Sequence, residues 1–391
     1  MAWLGCLGYG TARDLKRIDR EPLEAGISLI EGYAVVAAPP KTKSPHPPAD
    51  SACRLPVHVA HALDTHTYFK VIVGGSFNEL GRVAQLARVF AMAGAHALDV
   101  SAHPAVVQAT LTALDTLPAD VARPMVMASF PLDDDPHFRK IQLNRPDCID
   151  CGACLPVCPT RVFDLDAVSG HLRVDEPLCY GCGRCLPVCP TTALDLDAFV
   201  LRDGLVQVLA DDRVESVEIH SAQADCYLIE RCFDDLGPLL AGKYISFCYR
   251  PAGLETAHNR AVVETLSRLI PGRFMIQVDG NPMSATSDAQ SSRPAIEAAL
   301  ALSPLLRDYP QVDLTVSGGI NAHTAHWLRQ TMDSSTGKIQ PIQVIQGLGM
   351  GTFARHWVWD ALDASAHPDD AVEQARALLA PFCFPSRHSP C

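Results

Sequence analysis

An α/β chain whose eight parallel strands close into a (β/α)8-type barrel, interrupted by one cysteine-rich module, is what this sequence predicts on three observations. From Thr67 onward, short β-branched and aromatic runs alternate with longer amphipathic stretches. Eight such units follow one another, and strands separated by helices pair in parallel and close at that number. Between the third strand and its helix, residues 148–197 write one cysteine pattern twice.

Taken in order, the strands are expected at 68–74, 97–101, 125–130, 216–220, 243–250, 273–280, 312–319 and 341–347. Helices are expected near 79–94, 104–115, 200–212, 222–240, 255–270, 293–307, 322–332 and 352–363. The barrel thus occupies 67–135 and 198–380, with the insertion at 136–197 and a tail at 381–391. An open parallel α/β sheet with the same insertion is the alternative. No G-x-G-x-x-G follows any strand, which removes the main positive sign of the open nucleotide-binding version. Residues 1–66 read as a poorly ordered N-terminal extension, because 39–56 is Pro-rich and favours an extended linker.

The insertion reads Cys148-x2-Cys151-x2-Cys154-x3-Cys158-Pro159, then Cys179-x2-Cys182-x2-Cys185-x3-Cys189-Pro190. Three thiolates at this spacing let one tight loop wrap three corners of an iron–sulfur cube, while the fourth cysteine lies too far along the chain to close the same cube. Cys148, Cys151, Cys154 and Cys189 are therefore expected to hold one [4Fe-4S] cluster, and Cys179, Cys182, Cys185 and Cys158 a second. Zinc is the competing occupant, but four ligands per ion would leave the third cysteine of each triplet idle. Residues 148–166 and 179–197 agree at thirteen of nineteen positions, so the module is an internal repeat with a pseudo-twofold axis.

Of 391 residues 48% are hydrophobic, enough for a large core, and the formal charge of −12 argues against a nucleic-acid partner. No stretch reaches the ~20 apolar residues of a membrane span, nor does the N-terminus have a signal-peptide layout. Seven cysteines remain outside the motif: Cys6, Cys53, Cys226, Cys232, Cys248, Cys383 and Cys391. An odd, unpaired remainder beside clusters points to a reducing cytoplasm, and Cys226, Cys232 and Cys248 read as small buried hydrophobes.

Several strands become polar at their C-terminal ends with period two: Glu218 and His220; Ser246, Cys248 and Arg250; Gln277 and Asp279; Thr315 and Ser317. If that face points inward, the barrel mouth is a polar pocket. Two glycine-rich turns add to it, Ser317-Gly318-Gly319 after strand seven and Gly347 to Thr352, with Gly349 between, after strand eight. Barrels often bind phosphate in those two loops, so the candidate ligand pocket is Arg250, Asp279, Ser317, Gly318, Gly319, Gly347 and Gly349, its ligand FMN or another phosphate-bearing molecule. Asp133, Asp134 and Asp135 could hold a cation but are read as an acidic solvated loop, the commoner arrangement, and His103, His220 and His323 as capping or exposed. Spacing identifies no catalytic residue.

Residues 69–107, the duplicated cysteines with 179–191, strand 216–220 and the strand-and-turn 273–284 together resemble LdpA, the light-dependent period family of cyanobacteria. The similarity runs from about residue 67 to the 340s. It implies two iron–sulfur clusters on the eight cysteines above and a role in tuning the circadian clock to light through cellular redox state. It also implies a clock-input histidine kinase and core clock proteins as partners. The expected function is a redox-responsive regulatory protein exchanging electrons with ferredoxin or the photosynthetic pool. The rival is a flavin-type barrel oxidoreductase wired to its donor through the clusters.

Overall fold

The computed structural model describes Cys53 and residues 55–199, 204–251, 256–280, 287–330, 332–334, 337–364 and 368–382. Residues 1–52 of the expected extension, the turn at 281–284 and the tail at 383–391 lie outside the described residues.

The chain opens with helix α1 (Val57–Asp64), where only an extension was expected. Val59, Ala62 and Leu63 lie three or four residues apart, on one helical face. That face packs on Tyr68, Ala97, Met125, Met127, Tyr244 and Met275 and plugs the N-terminal end of the barrel. Eight residues are too few for the helical period to stand out beside a Pro-rich stretch.

The first half of the barrel follows as β1 (Tyr68–Gly74), α2 (Leu80–Ala93), β2 (Ala97–Ser101), α3 (Pro104–Leu114) and β3 (Met125–Pro131). Glu79 caps α2 by accepting from the Gly81 and Arg82 amides, and Gly94 ends it in the left-handed region at φ 94°. His103 caps α3 by accepting from the Ala105 amide, as expected for a capping imidazole. The module supplies β4 (Arg139–Leu143), β5 (Phe163–Leu165), β6 (Leu172–Val174) and β7 (Leu194–Ala198).

The barrel resumes with α4 (Leu205–Leu209), β8 (Ser216–His220), α5 (Cys226–Leu240), β9 (Tyr244–Tyr249), α6 (Thr256–Leu269), β10 (Phe274–Asp279), α7 (Arg293–Leu306), β11 (Val312–Ser317) and α8 (Thr324–Arg329). A small hairpin, β12 (Met332–Ser334) and β13 (Gly337–Ile339), precedes β14 (Gly347–Met350), α9 (Thr352–Ala364) and α10 (Pro368–Leu379). The strands close in the order β1-β14-β11-β10-β9-β8-β3-β2, every neighbouring pair parallel. The barrel expectation therefore holds, and the open sheet does not.

Strand eight is misplaced in the sequence reading. The apolar run 341–347 opens as a single 3-10 turn, with Gln340 and Gln343 forming a reciprocal capping box on Pro341. The strand instead uses the glycines read as a turn. A Cβ on Gly347 would lie 2.4 Å from the Tyr68 carbonyl, and one on Gly349 would lie 2.9 Å from Gln277 Oε1. Glycine here permits close strand packing and a crowded interior, not a loop.

Inside the module β4 pairs antiparallel with β7, and β5 with β6. The 31-residue repeat extends to the backbone. Positive φ at Asp150, Gly152 and Arg161 recurs at Gly181, Gly183 and Thr192. Gly181 is required because a Cβ there would lie 2.5 Å from the Arg139 carbonyl. Its counterpart Asp150 adopts a left-handed conformation that is uncommon for a non-glycine residue, and uses its carboxylate to bind the Leu172 amide at 2.7 Å, His171 Nδ1 at 2.9 Å and Arg145.

Candidate functional site

The module's core is built from Ile141, Val162, Phe163, Leu172 and Leu194 together with cysteines 154, 179 and 185. None of the eight motif cysteines is joined in a disulfide. Their neighbours are crossed between the repeats: Cys154 lies in the field of Cys151, Cys148 and Cys189, and Cys185 in that of Cys182, Cys179 and Cys158. Burial, reinforced by these neighbours, pushes the Cys154 thiol up to about 11 and Cys185 up to about 12. Cys154 and Cys185 thus resist ionising alone, and a cation within each set would favour their thiolates. Backbone amides already point at sulfur: Ile141 and Gly181 donate to Cys179 Sγ at 3.3 and 3.4 Å, and Val162 to Cys158 Sγ at 3.3 Å. Amides directed at thiolates are what a sulfur-ligated cluster needs around it, so these residues fit the group.

The module sits over the C-terminal mouth of the barrel, because it leaves β3 at that end. Tyr180, between Cys179 and Cys182, is buried in the barrel's own core cluster and lines the cavity at the mouth. Its ring lies 4.6 Å from the Arg355 guanidinium carbon, and that guanidinium stands 5.5 Å from Phe77 on another side. Arg355 is 3% exposed, donates to the Val73 carbonyl and to Thr352 Oγ1 at 3.0 Å, and has no carboxylate within ion-pair distance among the described residues. Burial lowers it to about 10.

Beneath the mouth the barrel interior is polar, where branched apolar layers are usual. Lys70 Nζ is completely buried, bonded to Glu218 and 3.1 Å from Asp99. Glu218 also accepts from Ser246 at 2.9 Å, Gln277 at 2.8 Å and His220 Nε2 at 3.0 Å. Burial alone would neutralise both carboxylates. For Glu218 the attraction of Lys70 and His220 outweighs it and holds the group well below its usual range, whereas Asp99 is pushed up. Glu218 is therefore the charged partner, and the Lys70 amine is held above its usual value.

Of the candidate pocket residues, Asp279, Ser317, Gly318, Gly319 and Gly349 do line one cavity of about 70 Å³. Gly347 does not, because it faces Tyr68 within the sheet. Arg250 does not either: β9 ends at Tyr249, the period-two alternation stops with it, and Arg250 is exposed. Asp135 is not part of a solvated loop. It is 6% exposed and bonded to His137 Nδ1 at 2.7 Å, while Asp133 caps Ala222 and Gln223. His220 is likewise buried at the mouth. Cys232 and Cys248 are buried as expected, though Cys248 faces polar company in Gln277.

The sequence reading missed Lys70, Asp99, Ser129, His137, Tyr180 and Arg355. The period-two rule used on the later strands applies equally to Lys70 and Ile72, Asp99 and Ser101, and Met127 and Ser129, so the first three were within reach. The others come from loops and helices, where no such rule operates.

Residues 147–193 match the 4Fe-4S dicluster domain, and residues 208–381 the light dependent period A C-terminal domain. The light dependent period A protein of Synechococcus elongatus is 30% identical over 361 residues, spanning 82% of this chain and 92% of that protein. The chain belongs to the light dependent period A family. As a member of the LdpA family with a 4Fe-4S domain it is an iron–sulfur protein. No helix among the described residues is long and apolar enough to cross a membrane. Among solved structures, Mycobacterium tuberculosis tryptophan synthase matches 85% of the chain and 97% of its own at 11% identity and TM-score 0.44. The alpha subunit of tryptophan synthase from Legionella pneumophila matches 83% and 96% at 11% identity and TM-score 0.39. These likenesses are too loose to bear on the chemistry of the LdpA family.

Proposed function

We propose that this chain is a redox-responsive regulator that relays light and redox state to the circadian clock. Two [4Fe-4S] clusters are held by Cys148, Cys151, Cys154 and Cys189, and by Cys179, Cys182, Cys185 and Cys158. The crossed neighbourhoods of Cys154 and Cys185 support those two ligand sets. The clusters supply one-electron uptake and release. The observation that carries the regulatory reading is the Tyr180–Arg355 contact. Tyr180 belongs to the second cysteine loop and Arg355 to the barrel mouth, so a change in charge on that loop acts, in low dielectric, on a buried guanidinium that has no ion pair among the described residues. The electron partner is ferredoxin or the photosynthetic pool, the downstream partners are a clock-input histidine kinase and clock proteins, and the compartment is the cytoplasm.

The test is oxygen-free purification with iron, sulfide and flavin analysis, followed by hydrogen exchange at reducing and oxidising poise. About eight irons and eight sulfides per chain, no flavin, and redox-dependent protection of residues 349–359 are expected. Zinc in place of iron, or protection independent of poise, overturns the proposal.

A second reading has one observation in its favour. Gly318 and Gly319 at positive φ, Thr352 at the start of α9 and Arg355 converge on one cavity, which suits the phosphate of FMN or a similar ligand in a flavin-type barrel oxidoreductase. The cavity of about 70 Å³ is well short of the ~300–1,000 Å³ usual for such ligands, which favours the regulator. Stoichiometric FMN in an acid extract would reverse that preference.

A further inference from the structure

The mouth of the barrel gathers a second set of metal-ligating side chains, outside the cysteine motifs. Asp135 and His137 come from the segment that leaves β3 for the module, and His220 from the end of β8. Ligand atoms of these three residues all lie within 4.8 Å of one another. The two imidazole centroids are 5.1 Å apart, and His137 Nε2 lies 3.8 Å from Asp279 Oδ2. We propose that Asp135, His137 and His220 bind one first-row divalent transition ion, of which Zn²⁺ is the representative, between the barrel mouth and the iron–sulfur module.

Three features point to a metal ion here and not merely to a polar cluster. The first is the state of His220. Its Nε2 is engaged by Glu218 Oε1 at 3.0 Å, while its Nδ1 is buried without any partner, in a residue only 5% exposed. A carboxylate that takes the N–H at one ring nitrogen fixes the tautomer and leaves the other nitrogen as a lone-pair donor, which is the usual arrangement behind a metal-bound histidine. Glu218 in turn is held by Lys70, Ser246 and Gln277, so the ring it orients is rigidly supported.

The second feature is charge. Asp135, Glu218 and Asp279 converge on this end of the barrel, and Lys70 below is shared between Glu218 and Asp99. Arg355 lines the same cavity, donating to the Val73 carbonyl and Thr352 Oγ1 and leaving Nε without a partner. The His137 ring is flanked by carboxylates on both sides, Asp135 at 2.7 Å from Nδ1 and Asp279 at 3.8 Å from Nε2. A divalent ion seated among these carboxylates is favoured by their negative charge.

The third feature is the donor set. Two imidazoles and one carboxylate suit Zn²⁺ or its transition-metal neighbours, whereas Mg²⁺ and Ca²⁺ prefer oxygen cages. Three protein ligands leave coordination positions open, and these face the cavity that His137, His220 and Asp279 share with Gly318, Gly319 and Arg355. Water or a small anion would fill them, with the guanidinium and glycine amides across the cavity available to the anion.

The inference does not rest on the iron–sulfur reading, because zinc and iron are counted separately. Full-length protein, prepared without oxygen and with its iron and sulfide measured, is equilibrated with Zn²⁺ alone, desalted and analysed for both metals. One zinc per chain is expected. His137→Ala and His220→Ala should abolish its retention with iron unchanged, and Glu218→Gln should weaken binding about 10–100-fold, as loss of an orienting partner does. Zinc absent from the wild type, or present and surviving both histidine replacements, overturns the proposal and in the latter case identifies thiolates as the true ligands. Should the variants fail to fold, anomalous diffraction at the zinc edge from wild-type crystals decides: a peak between His137 and His220 supports the site, and no peak there refutes it.

Discussion

Replacing Lys70 with methionine tests whether the barrel interior is organised by charge. The amine is completely buried against Glu218 and Asp99, themselves fully buried. Removing one partner of a buried ion pair costs about 3–5 kcal/mol, because the remaining charge is stranded. The lower figure applies here for two reasons. Asp99 is already pushed up by burial and accepts a proton readily, and Glu218 keeps bonds from Ser246, Gln277 and His220. A loss of about 3 kcal/mol at neutral pH corresponds to a melting temperature lower by about 6–12 °C for a domain of this size.

The pH dependence gives the test its sign. In the native protein Glu218 is held below its ordinary range, so its contribution is present above the unfolded pKa and lost as pH falls. Without Lys70 the Glu218 carboxylate rises instead, and its protonation relieves the stranded charge. The gap between Lys70→Met and wild type should therefore narrow below about pH 5. The double variant Lys70→Met/Glu218→Gln should be less destabilised than the sum of the single variants by about 1–3 kcal/mol. Far-UV circular dichroism melts at pH 4 and 7.5, at one scan rate and equal iron content, supply the measurement. A loss below about 1 kcal/mol, one unchanged between the two pH values, or strict additivity would refute the argument.

Three further outcomes are expected. Cys189→Ser should remove iron from the cluster otherwise wrapped by the first motif, leaving Cys179, Cys182 and Cys185 their full set, as Mössbauer or iron counting of half-loaded protein would detect; loss confined to the second motif's cluster contradicts the crossed assignment. Gly347→Ala should cost about 3 kcal/mol by the same melts, because the added Cβ meets the Tyr68 backbone carbonyl at 2.4 Å and neither strand can yield. In metal-free protein, His137 is held up at about 9, so the stability it contributes, about 3 kcal/mol, is complete below its unfolded value near 6.5 and lost as pH rises through about 9. His137→Gln should flatten that alkaline slope, and an unchanged slope would locate the titration elsewhere.

The barrel was legible in the sequence because each strand is a local signal. Runs such as 68–74, 97–101 and 216–220 carry their β-branched pattern within themselves, and the observed strands Tyr68–Gly74, Ala97–Ser101 and Ser216–His220 coincide with them. The cysteine module was legible for the same reason, since thiolate spacing is a property of one loop. Strand eight escaped because its pattern is non-local: Gly347 and Gly349 are strand residues only because of what Tyr68, Lys70 and Gln277 put across from them.

The site followed the same division. Asp279, Ser317, Gly318 and Gly319 lie at strand ends or in the turns that follow, and their positions announced the mouth. Arg355 and Tyr180, 175 positions apart in the numbering, acquire meaning only from their contact, and neither neighbourhood hints at the other. Asp135 looked like a solvated loop residue because hydrophilic sequence between elements is usually exposed. In the fold Asp135 is buried and bonded to His137, whose ring lies against His220 at the barrel mouth. A functional site formed where an inserted domain meets its host is thus the part that single-sequence reasoning is least equipped to find. It is also where this protein brings its cysteine loops, its buried guanidinium and its paired histidines within reach of one cavity.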